Sequence, residues 1–121
     1  MKTIFEAKVS AIGEDVSMIM EEKVIILFDE KAPKELHDIA LTHSGGSLTD
    51  DIQAGDVIWF GVDSFNIYSV GDYVNTSMKD LGHLSLNFSG DRTSDLPGTV
   101  CIENKPIPEI CVGTTIKIVR S

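Results

Sequence analysis

The feature of this 121-residue chain that most constrains its fold is a series of short segments in which apolar residues fall on every second position. Phe5, Ala7, Val9 and Ala11 alternate with Glu6, Lys8 and Ser10, and Leu84, Leu86 and Phe88 alternate with Ser85, Asn87 and Ser89. A strand turns successive side chains to opposite faces, so this period predicts strands buried on one side. Residues 24–28 are apolar without a break and predict a strand covered on both faces. Residues 57–60 and 65–70 flank Gly61-Val62-Asp63-Ser64 and predict a hairpin. Val100 with Ile102, and Ile116 with Ile118, predict two more strands. Turns are marked by Gly13, Gly45-Gly46, Gly55-Asp56, Gly90-Asp91, Pro97-Gly98 and Gly113.

Helical spacing is confined to two places. Pro33 suits a first helical position, with Leu36, Ile39 and Ala40 on one face. Val74, Met78 and Leu81 share a second face, and Gly82 is placed to stop that helix. No repeat, low-complexity tract or long linker divides the chain, so residues 1–121 are expected to form a single domain. The expected fold class is all-β: a small β-barrel of about seven short strands with one or two short helical turns. A barrel is preferred to a sandwich because no long exposed edge strand stands out.

Composition narrows the function. Ten Lys plus Arg against nineteen Asp plus Glu give a net charge of −9, which argues against binding a nucleic-acid backbone. It suits a partner with a positive face. No apolar run approaches the roughly 18 residues of a membrane span, and no signal segment is read at the start, so the expectation is a cytoplasmic protein that is not membrane-inserted. Cys101 and Cys111 do not suggest a disulfide framework, and Cys111, between Ile110 and Val112, is expected to be a buried thiol.

Phosphate-loop, dinucleotide-binding, Cys-x-x-Cys, metalloprotease and nucleophile-elbow motifs are all absent. The aromatic residues, Trp59 included, are expected in the core. The adjacent carboxylates Asp29-Glu30 and Asp50-Asp51 read as solvated turns, although Asp50 and Asp51 with His43 or His83 leave a metal site open. His37 reads as a solvated surface residue, and His83 shares parity with the polar face of Ser85 and Asn87. His43 has the most suggestive setting, because Ser44-Gly45-Gly46-Ser47 follows it at once. Consecutive amides around glycines form an anion-binding concavity, and an imidazole at its lip suits a phosphoryl group. The competing reading is a capping histidine before a plain glycine turn.

Several of these residues carry a family resemblance. Lys31-Ala32-Pro33-Lys34-Glu35-Leu36 precedes His43 and Gly46. Leu81-Gly82-His83-Leu84-Ser85-Leu86-Asn87-Phe88-Ser89-Gly90 and then Pro97-Gly98-Thr99-Val100 follow in order. Over nearly its whole length the chain resembles the glucitol/sorbitol-specific Enzyme IIA of the bacterial phosphoenolpyruvate-dependent sugar phosphotransferase system. The resemblance implies a phosphotransferase with a phosphohistidine intermediate, acting in hexitol uptake. Its donor would be the phosphorylated histidine-containing phosphocarrier protein, and its acceptor a sugar-specific Enzyme IIB that serves a membrane Enzyme IIC.

The family's phosphorylated histidine falls on His43, with His83 as a neighbour that orients or stabilises the phosphoryl group. Ser44, Gly45 and Gly46 complete the expected phosphate-binding set, with no metal or other cofactor. Family members often carry a second histidine or other polar residue just beyond the active one, where this chain has Ser44-Gly45, which leaves the sugar open. Two other readings remain: a non-catalytic β-barrel module that binds a small polar ligand, and a barrel enzyme with a metal on His43 and His83.

Overall fold

The every-second-residue pattern closes into a barrel in a computed structural model that describes residues 1–121. In chain order the elements are β1 (Lys2–Ile12), α1 (Val16–Glu21), β2 (Val24–Asp29), a 3-10 helix (Lys34–Ile39) and β3 (Leu41–His43). They continue with β4 (Val57–Phe60), β5 (Asp63–Val70), α2 (Val74–Leu81), β6 (Leu84–Asn87), β7 (Thr99–Ile102) and β8 (Thr115–Arg120). Around the barrel the order is β1-β3-β2-β6-β7-β5-β4-β8, which leaves no open edge. The β2–β3 and β6–β7 pairs are parallel and the other neighbours antiparallel. A parallel pair cannot be joined by a tight hairpin, and the 3-10 helix is the crossover from β2 to β3.

The apolar positions of the alternating strands point inward. Phe5, Ala7 and Val9 of β1, Ile25 and Leu27 of β2, Leu84 and Leu86 of β6, and Ile116 and Ile118 of β8 belong to one continuous core. β2 is covered outside as well, where Phe28 packs with Ala32 and Ala40, and Ile26 and Leu36 lie against them. Its unbroken apolar run therefore has the cause expected of it.

Two elements carry no periodic signal in the sequence. The eighth strand, β3, is three residues long, too short to display a period, and exists through its pairing to β1 and β2. α1 buries only Val16 fully and so carries no apolar stripe. Two placements need correction. Cys111 is exposed and Cys101 is the buried thiol, both free, because residues 103–111 follow no strand alternation. Trp59 is half-buried and lines a surface groove of about 550 Å³ on the outer face of β1, β4 and β8. By strand parity Ile58 and Phe60 take the inward positions, leaving Trp59 outward.

The long connection from β3 to β4 is tied to the barrel by Arg120. Its guanidinium donates to both carboxylate oxygens of Asp56, at 2.9 and 3.1 Å, to Asp50 at 3.1 Å and to the Asp51 carbonyl at 2.6 Å. Hydrogen bonding to Asp56 holds the Arg120 guanidinium above its usual range, and the bond from Lys2 holds the Asp50 carboxyl below its own. Asp50 and Asp51 thus serve as anchors to Arg120, Lys2 and Lys79.

Candidate functional site

β3 ends at His43, where the parallel pairing sets its Cα opposite Asp29, the last residue of β2. Parity with Leu41 turns the His43 side chain inward, and Thr42 turns outward to meet the Ser10 hydroxyl at 3.2 Å. His43 is completely buried, and its ring meets that of Phe5 in a T-shaped contact at a centroid distance of 5.4 Å.

Burying an imidazole costs about 1–3 kcal/mol for each polar atom left unpaired, and here neither ring nitrogen is left so. Nε2 lies 2.8 Å from the Gly82 carbonyl oxygen, and the Gly45 amide lies 3.1 Å from Nδ1. A carbonyl can only accept and an amide N–H can only donate. Nε2 therefore carries the hydrogen, and the lone pair is on Nδ1. The two backbone partners fix one neutral tautomer.

Both partners depend on glycine. Gly45 has φ +81°, and a Cβ there would fall 2.7 Å from Asp29 Oδ2. Gly82 caps α2 in the left-handed conformation at φ 60°, and its Cβ would fall 2.7 Å from His43 Cε1. Its carbonyl also lies at the negative end of the α2 dipole, which favours a hydrogen or positive charge on Nε2. The expected stop signal at Gly82 is thus an active part of the site.

Ser44 and Gly45 are exposed, so a single turn of chain separates Nδ1 from solvent. The Ser44 hydroxyl oxygen accepts the Lys8 amide at 3.0 Å, which leaves its O–H free to donate. Gly46 is packed on the Glu6 carbonyl and the Phe5 ring. Beside this turn a small cavity of about 150 Å³ is lined by Asp29, Lys31, Ala32, Pro33, Asp80 and Leu81. From the sequence Asp29 reads as part of a solvated turn. Only the β2–β3 register brings it here, and it left no signal of its own.

The other histidines do not join this cluster. His37 is half-buried rather than solvated, with Nε2 2.9 Å from the Ala32 carbonyl. His83 follows Gly82 directly but has the opposite parity to Leu84, and so faces outward. There its ring stacks on Phe28 at 4.3 Å and 20° and shares a 2.7 Å hydrogen bond between Nδ1 and Ser77 Oγ. Partial burial lowers its pKa below the ordinary value of 6.5. His43 and His83 thus stand on opposite faces of the wall. Nowhere are three or more His, Cys, Asp or Glu side chains gathered as a metal site requires.

A family model described as the PTS system glucitol/sorbitol-specific IIA component matches residues 4–117. Two relatives, from Shigella flexneri and Escherichia coli strain K12, are described as the PTS system glucitol/sorbitol-specific EIIA component. Each is 27% identical over 118 residues, covering 97% of this chain and 95% of the relative. The crystal structure of a PTS system IIA component from Enterococcus faecalis V583 has a TM-score of 0.78 and 28% identity, covering 92% of this chain and 96% of that one. No helix is long and apolar enough to cross a membrane.

Proposed function

The chain belongs to the glucitol/sorbitol-specific IIA family of the sugar phosphotransferase system, and from that premise we propose that it carries a phosphoryl group on His43. The donor is the phosphorylated histidine-containing phosphocarrier protein. The acceptor is a glucitol/sorbitol-specific Enzyme IIB, working with a membrane Enzyme IIC. The observation that carries the proposal is the single neutral tautomer of His43, fixed by the Gly82 carbonyl on one side and the Gly45 amide on the other.

The mechanism follows from that tautomer. The Nδ1 lone pair attacks phosphorus in line, the N–P bond to the donor imidazole breaks, and its electron pair stays with the donor ring. The His43 ring gains positive charge as the new N–P bond forms, and the Gly82 carbonyl at the end of α2 stabilises the Nε2–H that shares it. Onward transfer reverses the step: the N–P electrons return to Nδ1, and the ring leaves as the neutral tautomer from which it began.

His43 is fully buried, so the step requires the turn at residues 44–47 to swing aside. The Gly45 N–H then passes from Nδ1 to a phosphoryl oxygen, with Ser44 O–H and Gly46 as further donors. Such donors are needed, because the phosphoryl group brings nearly two negative charges to a chain already at −9. A cationic partner face supplies the remainder.

Intact-mass spectrometry after incubation with phosphoenolpyruvate and the two general phosphotransferase proteins tests the proposal, with His43→Gln run alongside. The expected result is one acid-labile phosphoryl group on the parent and none on the variant. A phosphoryl group that persists on His43→Gln moves the site elsewhere. None on a folded parent, with the donor proteins shown to be active, favours the binding-module reading.

A further inference from the structure

We infer that His83 is a positioning residue for His43, acting across the barrel wall through the Gly82 carbonyl; the inference rests on the reading of His43 as the phosphoryl acceptor. Gly82 has no side chain with which to hold itself, and its left-handed backbone at φ 60° is a conformation that a glycine leaves readily. Its own amide holds it to the end of α2 by donating to the Met78 carbonyl at 3.0 Å, and the direction of its carbonyl beyond that bond is set by its neighbours. Leu81, on one side, is 44% exposed and offers little hold. His83, on the other, is held from two directions.

One hold is the 2.7 Å hydrogen bond to Ser77 Oγ, which ties His83 to the middle of α2. Ser77 is itself only 3% exposed, and its carbonyl accepts the His83 amide at 3.3 Å. The other hold is the stack on Phe28, whose place is set by Ala32 and Ala40 in the outer cluster. Phe28 precedes Asp29, and Asp29 is the register partner of His43. The chain of contacts thus closes on itself: His43 to Gly82, Gly82 to His83, His83 to Phe28, and along β2 and across to β3 back to His43. Two adjacent pairs, Gly82-His83 in the link from α2 to β6 and Phe28-Asp29 at the end of β2, fix the distance between Nε2 and the carbonyl that holds its hydrogen.

The test reads the ring nitrogens of His43 by ¹⁵N NMR in the free protein, alongside the rate of phosphoryl uptake. Three variants separate the holds: Ser77→Ala removes the hydrogen bond, His83→Phe keeps the stack alone, and His83→Ala removes both. The expected result is the Nε2–H signature in the parent and a mixed tautomer in His83→Ala. Uptake by His83→Ala is expected to slow by about tenfold, as small displacements of a reacting group do. Ser77→Ala and His83→Phe should lie between the two.

An unchanged His43 signature across the variants overturns the inference. So does an unchanged signature combined with a shifted ³¹P resonance of phosphorylated His43, which would mean direct contact between His83 and the phosphoryl group. If His83→Ala does not fold, the other two variants decide by the same ring readout. A parent that takes up no phosphoryl group refutes the phosphocarrier reading, while the ring signatures still decide whether His83 positions His43.

Discussion

The Nε2–H of His43 donates to the carbonyl of Gly82 across 2.8 Å, and the same ring leaves no room for a methyl group on the Gly82 α carbon. The two residues are 39 positions apart, and their contact makes two demands of one glycine: a left-handed backbone and an absent side chain.

Gly82→Ala breaks both demands at once. The left-handed penalty alone is about 1 kcal/mol, and the forced shift of the His43 ring adds to it. The expected loss is roughly 2 kcal/mol by denaturant unfolding, with a clear fall in phosphoryl uptake. Gly113→Ala is the control, because Gly113 has φ +95° but nothing within 4 Å of its would-be Cβ. It should show the backbone penalty and normal uptake. Equal uptake in both variants would remove the case for the Gly82 contact.

Asp56→Ala should weaken the fold and spare the chemistry. Asp56 is buried, receives two bonds from Arg120 and one from the Gln53 amide, and holds the connection that follows the His43 turn. Losing these charge-assisted bonds is expected to cost about 2 kcal/mol. Phosphoryl uptake below the melting range should match the parent. A large loss of uptake by a well-folded variant would place the Arg120 clamp in the transfer machinery.

His83 makes a specific contribution to pH dependence. Burial holds its folded pKa below the ordinary 6.5, so the unfolded chain takes up a proton first as pH falls. The contribution is complete above the unfolded value. It is lost as pH drops from about 6.5 toward the folded pKa, and is level below that. Stability of the parent measured across this window should fall more than that of His83→Phe. Parallel curves would show that His83 titrates alike in both states.

Transfer from the phosphocarrier donor should slow as salt rises. A chain of net charge −9 draws a cationic partner over distances that salt screens, with a Debye length near 10 Å at 0.1 M and about 3 Å at 1 M. The second-order rate of uptake measured over that range should decline steadily. A flat profile would rule out charge steering.

Much of the barrel was legible because its signal is local. Alternation in β1 and β6, the unbroken run of β2, the hairpin of β4 and β5 and the stop at Gly82 each arise from a few neighbouring residues. β3 was not legible, and it is the strand that delivers His43. Three residues cannot display a period, and this strand is defined by β1 and β2 on either side of it.

The sequence by itself determined which residue types are available for the chemistry: a histidine before Ser44-Gly45-Gly46, and a glycine-histidine pair at the end of a helix. It also determined that alternating segments would bury one face. Parity already set His83 on the polar face, but only the tertiary structure decided that His43, on a strand too short to show parity, lies inside, that Asp29 comes to the site, and that Nε2 rather than Nδ1 holds the hydrogen. The reason is physical. A side chain's face follows from strand parity, which the chain carries locally, but its hydrogen-bond partner follows from register and closure, which bring together residues 39 positions apart.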